Sequence, residues 1–340
     1  MNLENEIRSF LVQPRPERFE ELAIRLFEIQ RKKNRPYDLY CRALGASVSS
    51  ISSWKEIPGL PQQAFKSSEI RSFPADETRF EFRTSGTTGE GYGRHFLPSL
   101  ELYKEAVLRG WDHARLPDYP IGLLMPNPRQ NPHSSLAQMG GFLSENREHH
   151  YFWQEAGHLE SESLRNFISA QNRPVVLFGT ALAFLNILET TAGSSISLAA
   201  GSLIIETGGF KGSNRAIEKR VLYRDLSDYF AIAAERIWNE YGMTELSSQF
   251  YSSGVDHPHV GPPWARVVVI DPNTNREALP GQIGMIRIID LANVWSVLAV
   301  QTQDLARNGS GGEFRLIGRD PNALPRGCSR AVDEILQSSR

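Results

Sequence analysis

Residues 84–93 read Thr84-Ser85-Gly86-Thr87-Thr88-Gly89-Glu90-Gly91-Tyr92-Gly93, and no large aliphatic side chain interrupts them. Before this loop, residues 79–83 alternate polar and apolar side chains as a strand does, and His95-Phe96-Leu97 fits a returning strand. Ser99 is a suitable N-cap for an amphipathic helix that runs to about Leu116. The sequence therefore predicts a hairpin with an unusually polar connection, followed by a helix.

The composition of this loop suits a polyphosphate. Glycine lets the backbone adopt positive φ and approach a ligand closely, and consecutive backbone N–H groups can form an anion-binding nest. Serine and threonine hydroxyls add donors with little bulk. The Lys-Ser/Thr ending of a Walker loop is absent, and the glycine spacing differs from the dinucleotide fingerprint. A flexible surface turn is the alternative interpretation.

Residues 120–245 repeat one pattern, in which a short apolar run ends in a glycine-rich or polar tail and a helical stretch follows. The runs are 121–125, 175–178, 202–206 and 236–240, and the helical stretches include 160–170, 181–190 and 213–234. Such alternation predicts βαβ units and a parallel sheet. Ligands of open α/β sheets bind beyond the carboxyl ends of the strands, so the four tails are expected to meet at one edge.

The segments on either side of this core differ in pattern. Residues 1–75 are predicted to be mainly helical, with apolar spacing in 19–27 and a second helix in 36–46, and 57–61 form a turn. After residue 260, runs such as 266–270 and 284–289 predict antiparallel hairpins. We expect a helical segment at 1–75, an α/β core at 76–255, a β subdomain at 256–320 and a short arm at 321–340.

Composition restricts the class of protein. The 340 residues include 40% hydrophobic and 22% charged residues, which is typical of globular proteins, and the net charge of −2 gives no electrostatic case for nucleic acid. No segment has the pattern of a signal peptide or a membrane span. The two cysteines, Cys41 and Cys328, cannot form a disulfide framework, so we expect a cytoplasmic protein.

Two motifs resemble those of the AMP-forming adenylating enzymes, the superfamily of acyl-CoA synthetases and luciferase. Residues 85–89 match its Ser-Gly-Thr-Thr-Gly phosphate loop, and residues 241–245 match its Tyr-Gly-x-Thr-Glu motif at every fixed position. Residues 57–66 are similar to the segment ahead of the loop in luminescence-type acyl-protein synthetases and phenylacetate-CoA ligases. The resemblance extends from about residue 57 to 330. No lysine follows Gly89, and Gln303 replaces a glycine of the family.

The resemblance implies ATP and Mg²⁺ as cofactors and a role for each matched residue. Tyr241 would stack on adenine, Thr244 would hold the α-phosphate, and Glu245 would bind Mg²⁺. The remaining implied residues are, for nucleotide binding, Thr84, Ser85, Gly86, Thr87, Thr88, Gly89, Gly208, Gly209, Gly242, Asp304 and Arg319, and, near the acyl substrate, Ser134, Ser135 and Gly179. The alternative for 241–245 is a glycine turn whose Thr244 and Glu245 cap a following helix.

The resemblance predicts an enzyme that activates a carboxylic acid, such as a fatty acid, to acyl-AMP and transfers the acyl group to a thiol. The matched region ends without the family's usual C-terminal lid domain, as in the short acyl-protein synthetases. In those enzymes a cysteine near the C-terminus passes the acyl group to a partner reductase. Cys328 lies between Arg326 and Arg330, which favour its thiolate, and is the predicted acyl acceptor. The alternatives are transfer to coenzyme A or a carrier protein, and nucleotide binding without turnover.

Overall fold

The computed structural model describes residues 2–84, 91–153, 159–190, 195–208 and 217–319. These residues form two compact units. The first unit comprises Met1–Gly110, Met243–Ser248 and Val260–Arg340, and the second comprises Trp111–Gly242 and Gln249–His259. The chain therefore leaves the first unit after Gly110, returns to it for Met243–Ser248, and returns again at Val260. The 241–245 motif consequently has residues in both units.

The helices occupy the N-terminal segment and the connections between strands. In chain order they are α1 (Leu3–Val12), α2 (Phe19–Lys33), α3 (Arg35–Ala43), α4 (Ala64–Ser67), α5 (Glu101–His113), α6 (Ser135–Ser144), α7 (Ser161–Ala170), α8 (Ala181–Thr190) and α9 (Lys219–Phe230). The hydroxyl of Ser99 accepts a hydrogen bond from the backbone N–H of Glu101 at 3.2 Å, which confirms the predicted start of the helix after the hairpin.

The strands follow the predicted order. They are β1 (Leu60–Pro61), β2 (Phe80–Arg83), β3 (Arg94–Leu97), β4 (Ile121–Leu124), β5 (His149–Tyr151), β6 (Val176–Thr180), β7 (Leu203–Thr207), β8 (Ile237–Tyr241), β9 (Phe250–Ser253), β10 (Ala265–Asp271), β11 (Arg276–Glu277), β12 (Ile283–Asp290), β13 (Ala299–Asn308) and β14 (Phe314–Arg319).

The second unit is built on a mixed six-stranded sheet of order β5-β4-β6-β7-β8-β9. The first five strands are parallel, and β9 pairs antiparallel with β8. Apolar side chains of α7, α8 and α9 pack with those of the strands into one buried cluster that includes Phe184, Leu226 and Ile204. Burial of this surface stabilises the unit by roughly 25 cal/mol for each Å² of apolar area removed from water. The predicted parallel α/β core is confirmed.

The first unit carries the antiparallel strands. Its larger sheet has the order β1-β13-β12-β10-β11, and β14 pairs with the other part of β13. The strand pair β2 and β3 forms a separate hairpin. Helices α1, α2 and α3 belong to this unit, and their buried faces include Ile7, Phe19 and Tyr37. The predicted antiparallel sheet and the predicted N-terminal helices are both present.

Four strands of the described residues were not predicted, and one of them is the two-residue strand β11. Residues 57–61 were interpreted as a turn, but Leu60–Pro61 pairs parallel with Val300 and Gln301 of β13. A strand of two residues shows no periodicity, so only its distant partner defines it. His149–Tyr151 at one edge and Phe250–Ser253 at the other edge of the parallel sheet were also missed, because short polar edge strands lack a continuous apolar run. In the described ranges, no helix is both long and apolar enough to cross a bilayer.

Candidate active site

The polar loop is closed at its base by a reciprocal pair of hydrogen bonds. The backbone N–H of Thr84 donates to the carbonyl of Gly93 at 2.9 Å, and the N–H of Gly93 donates to the hydroxyl of Thr84 at 2.9 Å. Below this pair, β2 and β3 are in antiparallel register from Arg83 opposite Arg94 to Phe80 opposite Leu97. The predicted strand–loop–strand is therefore confirmed. Ser85, Gly86, Thr87, Thr88 and Gly89 lie outside the described residues.

A turn in the same unit brings Glu245 to the base of this loop. The carbonyl of Met243 accepts a hydrogen bond from the N–H of Leu246 at 3.1 Å, so that Thr244 and Glu245 are the central residues of the turn. A β-carbon added to Gly93 would lie 3.6 Å from Oε1 of Glu245 and 3.0 Å from Cγ2 of Thr84. Such a β-carbon would be in ordinary van der Waals contact with Glu245 but would crowd the methyl group of Thr84 and, at 3.2 Å, its hydroxyl.

The alternative in which Thr244 and Glu245 cap a helix is wrong. Residues 246–249 contain no helix, and β9 begins at Phe250. The side chain of Glu245 is buried, as are Ser247 and Ser248 after it. The carboxylate of Glu245 therefore lies in a buried turn beside the base of the hairpin.

A buried aspartate holds the residues that follow this turn. Oδ2 of Asp290 accepts the N–H of Ser247 at 2.9 Å, and Oδ1 accepts the hydroxyl of Ser248 at 2.8 Å. Burial raises the pKa of Asp290 to about 6, while the hydrogen bonds from these serines favour the carboxylate. The indole N–H of Trp264 also donates to the Ser248 hydroxyl, at 3.1 Å. Asp290 was not predicted as a site residue, because its partners lie some 40 positions away in the sequence.

In the second unit, the carboxyl ends of the central strands are aligned as predicted. Leu124 of β4 is opposite Gly179, and Thr180 of β6 is opposite Thr207, which is itself opposite Glu240 of β8. The residues that follow these positions therefore leave the sheet at one edge. Gly208 is the first residue beyond β7, has a φ of +75°, and has open space on the side where a β-carbon would be. Gly209 lies outside the described residues.

The predicted substrate residue Gly179 is in this alignment. A β-carbon on Gly179 would lie 2.6 Å from Cβ of Leu124, so glycine is required there for the close approach of β4 and β6. Its backbone lies near the carboxyl end of β6. The neighbouring apolar residues Ala181 and Phe184 are part of the buried cluster, as expected for core.

A buried hydrogen-bond network lies under this edge. The hydroxyl of Tyr223 donates to Oε1 of Glu206 at 3.0 Å, and Nδ2 of Asn239 donates to the same oxygen at 2.8 Å. His259 Nε2 is 2.6 Å from Oδ1 of Asn239. Burial raises the pKa of Glu206 to about 7, although Lys219, Tyr223 and Asn239 favour its charged form. The sequence pattern gave no signal for this network, since its members lie on β7, α9, β8 and the segment after β9.

Glu240 is a second buried carboxyl on the adjacent strand. Its Oε2 accepts the hydroxyl of Thr207, and burial raises its pKa to about 7, with a further increase from Glu206. Its other oxygen, Oε1, would lie 2.5 Å from a β-carbon at position 242. Gly242 is therefore required by the carboxyl of Glu240. The hydrogen bond holds the side chain of Thr207, which comes immediately before Gly208, a predicted nucleotide-binding residue.

The ring of Tyr241 ends β8 and is held by two other rings. Its centroid is 6.0 Å from the imidazole of His259 in an edge-on arrangement, and 6.3 Å from the ring of Phe250 on β9. The side chain is buried. A ring fixed in this way loses little conformational entropy when a flat ligand stacks on it.

Asp304 and Arg319 are directly opposite each other on β13 and β14. The carboxylate of Asp304 is on the face of β13 that also buries Thr302 and Ala306, and its exposed fraction is 8%. Arg319 is exposed, and its guanidinium donates to Oε1 of Gln303. The glutamine that replaces the family's glycine thus accepts a hydrogen bond from Arg319, a predicted nucleotide-binding residue.

Ser134 and Ser135 begin α6. The hydroxyl of Ser134 accepts the N–H of Ala137 at 3.1 Å and is the N-cap of this helix. Ser135 is the first helical residue and is half-buried. The predicted acyl-site role of these serines stays a prediction. Cys328, the predicted acyl acceptor, lies outside the described residues, whereas Cys41 is a buried free thiol whose pKa burial raises to about 12.

Comparisons with known proteins agree with this architecture. No protein-family profile matches the chain. The long-chain-fatty-acid–luciferin-component ligase of Aliivibrio fischeri is 22% identical over 356 aligned positions, which cover 97% of this chain and 93% of that ligase. A crystal structure of 2-hydroxyisobutyryl-CoA ligase with 2-HIB-AMP superposes with a TM-score of 0.66 at 12% identity, over 90% of this chain and 69% of that one.

ATP-bound MatB from Rhodopseudomonas palustris superposes with a TM-score of 0.52 at 18% identity, and 73% of this chain is covered. The chain therefore shares its fold with 2-hydroxyisobutyryl-CoA ligase and MatB. This chain spans about half the length of MatB, since 49% of that protein is matched. The predicted fold class, a parallel sheet with helices plus an antiparallel subdomain, is confirmed by the observed sheets and by these superpositions.

Proposed function

We propose that this protein uses ATP to activate a carboxylic acid and then transfers the acyl group to a thiol. In the first step a carboxylate oxygen forms a bond to the α-phosphorus of ATP, and pyrophosphate leaves with the electrons of the broken P–O bond. In the second step a thiolate attacks the acyl carbon, and AMP leaves. Catalysis of phosphoryl-type chemistry depends mainly on positioning and on stabilisation of charge, which fixed polar groups supply.

One observation carries this proposal. The base of the glycine-rich hairpin, Thr84 and Gly93, lies against the turn that holds Thr244 and Glu245, and Oε1 of Glu245 is 3.6 Å from the β-carbon position of Gly93. Two motifs that are far apart in sequence therefore meet in one unit, where the polar loop would bind the phosphates and Thr244 and Glu245 would contribute a hydroxyl and a carboxylate. That is the set of groups that a magnesium–ATP complex requires.

The residues present fit a bound Mg²⁺. This ion prefers oxygen ligands and is usually held by one or two carboxylates together with phosphate oxygens and water. Glu245 would supply the carboxylate ligand, and oxygens of the ATP phosphates would supply further ligands. The bound ion would offset the negative charge that accumulates on the phosphates. The hydroxyl of Thr244, next to Glu245, would donate to an oxygen of the α-phosphate.

The positions of the other predicted nucleotide-binding residues, taken within each unit, are compatible with their proposed roles. Tyr241 presents a packed ring at the carboxyl edge of the parallel sheet, beside Gly208, and would stack on adenine. Asp304 and Arg319 are paired in register on β13 and β14 and would bind the ribose hydroxyls. Ser134, Ser135 and Gly179 would contact the acyl substrate.

The acid that we favour is a fatty acid, because the curated relative that matches almost the whole chain is a long-chain-fatty-acid ligase. We propose Cys328 as the first acyl acceptor and a partner reductase or carrier protein as the next. The complex of 2-hydroxyisobutyryl-CoA ligase with coenzyme A supports the second candidate, direct transfer to coenzyme A. Because the sequence contains two cysteines and one is deeply buried, we also propose a reducing compartment such as the cytoplasm.

The first test is carboxylate-dependent exchange of labelled pyrophosphate into ATP, measured over a panel of fatty, aromatic and amino acids. We expect exchange with one class of acid, and a loss of at least about 100-fold in Glu245→Gln, since electrostatic groups at phosphoryl sites commonly contribute that much. Glu235→Gln, which changes an exposed glutamate of the second unit, is the matched control and should retain parental exchange.

The outcomes separate the candidate functions. Tight ATP binding with no exchange on any acid would overturn the synthetase proposal in favour of nucleotide binding without turnover. If exchange is present, labelled acid bound covalently to the protein, and lost in Cys328→Ser, would support the acyl-protein route. Formation of acyl-CoA at the same rate in Cys328→Ser and in the parent would instead establish coenzyme A as the acceptor.

A further inference from the structure

Two consecutive backbone carbonyls of the catalytic turn are each held by a buried side chain. His95 Nδ1 is 2.7 Å from the carbonyl oxygen of Thr244, and Nδ2 of Asn293 donates to the carbonyl oxygen of Glu245 at 2.8 Å. His95 is on β3, two residues after Gly93, and Asn293 follows β12. Neither residue belongs to the motifs that the sequence singled out.

The donor on His95 is defined by its partner. A carbonyl oxygen can only accept, so Nδ1 carries the proton in this contact. The imidazole is 1% exposed, and its ring lies edge-on to Phe65 with the centroids 5.9 Å apart. Burial lowers its pKa to about 4, against a smaller opposing effect of the Thr244 carbonyl, so the ring is neutral. Among the residues that the structure describes, Nε2 has no hydrogen-bond partner.

The side chain of Asn293 is also held in place, because both of its polar atoms form hydrogen bonds. Its Nδ2 also donates to the carbonyl of Val297 at 2.8 Å, and its Oδ1 accepts the hydroxyl of Ser247 at 3.1 Å. Gln30 of α2 braces the backbone of this segment, because its Nε2 donates to the Asn293 carbonyl at 2.9 Å and its Oε1 accepts the N–H of Leu298 at 2.7 Å. Helix α2 thus supports the segment that holds the turn of Thr244 and Glu245.

We propose that His95 and Asn293 are positioning residues that set the orientation of the Glu245 side chain, an inference that rests on the proposed function. The Thr244 carbonyl lies in the peptide plane before the α-carbon of Glu245, and the Glu245 carbonyl lies in the plane after it. Because a peptide group is planar, holding both carbonyls fixes both backbone dihedrals of Glu245. This sets the direction of the Cα–Cβ bond of Glu245, whose Oε1 is 3.6 Å from the β-carbon position of Gly93.

The geometry of amide side chains provides a sharp test at position 95. The amide nitrogen of asparagine occupies the place of Nδ1, so His95→Asn keeps the donor to Thr244. Glutamine places its amide nitrogen at the position of Nε2, so His95→Gln has a similar volume and polarity but loses that donor. Both variants lose the ring contact with Phe65, and because asparagine is smaller than glutamine, a role in packing alone would harm His95→Asn at least as much as His95→Gln.

We expect kcat for pyrophosphate exchange in His95→Gln and in Asn293→Ala to fall by about 10-fold to 100-fold, as for other small displacements of catalytic groups. The Mg²⁺ concentration that gives half-maximal rate should rise in both, and KM for the acid should not change. His95→Asn should stay within about threefold of the parent. Thermal unfolding of each variant shows which proteins are folded at the assay temperature.

Calorimetric titration with magnesium–ATP gives a second readout that does not need turnover. If the parent binds magnesium–ATP but exchanges no pyrophosphate, the proposed function fails, and weaker binding by His95→Gln than by His95→Asn still supports the positioning role. Equal kcat and equal affinity in His95→Gln and His95→Asn would overturn it. A parent that neither binds nor exchanges would remove both proposals together.

Discussion

Gly93 lies so close to Glu245 that a β-carbon on the glycine would stand 3.6 Å from the carboxylate oxygen Oε1. The same β-carbon would crowd the methyl group of Thr84 at 3.0 Å. The absence of a side chain at position 93 therefore lets the end of the polar loop lie beside the turn that carries the proposed magnesium ligand. This contact between distant parts of the chain leads to the first prediction.

Gly93→Ala should reduce exchange activity through crowding. The added methyl group must displace the side chain of Thr84, which would lose its hydrogen bond from the Gly93 N–H. We expect a loss of about 10-fold or more in kcat/KM for ATP, equivalent to a displacement cost of about 1.4 kcal/mol.

The double variant Thr84→Ser/Gly93→Ala tests the cause. Serine keeps the hydroxyl and lacks the methyl group that is 3.0 Å from the new β-carbon. We measure steady-state kinetics for the parent, both single variants and the double variant. The loss caused by Gly93→Ala should be smaller in the presence of Thr84→Ser than in its absence. Strict additivity of the two changes would contradict the crowding explanation.

Tyr241→Leu should raise KM for ATP by about 10-fold or more, because stacking of a base on an aromatic ring contributes about 1–3 kcal/mol. Tyr241→Phe keeps the ring and should remain near the parental KM. Phe250→Leu is the matched control, since it removes a ring that packs on Tyr241. Thermal unfolding should show a destabilised protein in both leucine variants, and a KM that rises equally in both would assign Tyr241 to packing only.

The two buried carboxyls predict how stability depends on pH. The pKa of Glu206 and that of Glu240 are raised to about 7 from an ordinary value of 4.5, so the folded chain binds more protons than the unfolded chain between these values. Their contribution to the free energy of unfolding is complete below about pH 4.5 and is lost as pH rises through about 7. We expect the two groups together to lower that free energy by about 1–3 kcal/mol between about pH 5 and about pH 8.

Other groups titrate in the same range, and His95, whose pKa is lowered to about 4, acts in the opposite direction. Urea unfolding of the parent and of Glu206→Gln/Glu240→Gln at both pH values isolates the two carboxyls. Glutamine can still accept from Tyr223 and Thr207, so the double variant should fold and should show a smaller loss of stability at high pH. An equal loss in both proteins would contradict the prediction.

The two cysteines should differ greatly in reactivity. Cys41 is 0% exposed, and its raised pKa of about 12 leaves almost no thiolate at neutral pH. Native Cys328→Ser protein should therefore react with iodoacetamide at least about 100-fold more slowly than a small free thiol, and should react fully after denaturation. Rapid labelling of native Cys328→Ser would show that Cys41 is accessible. Cys41→Ala should retain acyl transfer to the protein.

The sequence by itself determined the elements whose pattern is local. The hairpin around Thr84 and Gly93, the four parallel strands and the later antiparallel strands follow from apolar periodicity and glycine positions within short windows. The alignment of Thr180, Thr207 and Glu240 at one edge also follows, because parallel strands joined by helices must end on the same side.

Only the tertiary structure decided which side chains serve these motifs. His95 and Asn293 reach the Glu245 turn from other elements, and Glu206 meets Asn239 and Tyr223 across neighbouring elements. No local pattern marks a histidine in a strand or an asparagine after one as a partner for a distant carbonyl. The physical reason is that a buried polar group must find a hydrogen-bond partner wherever the folded chain provides it, and that place is set by packing, not by sequence spacing.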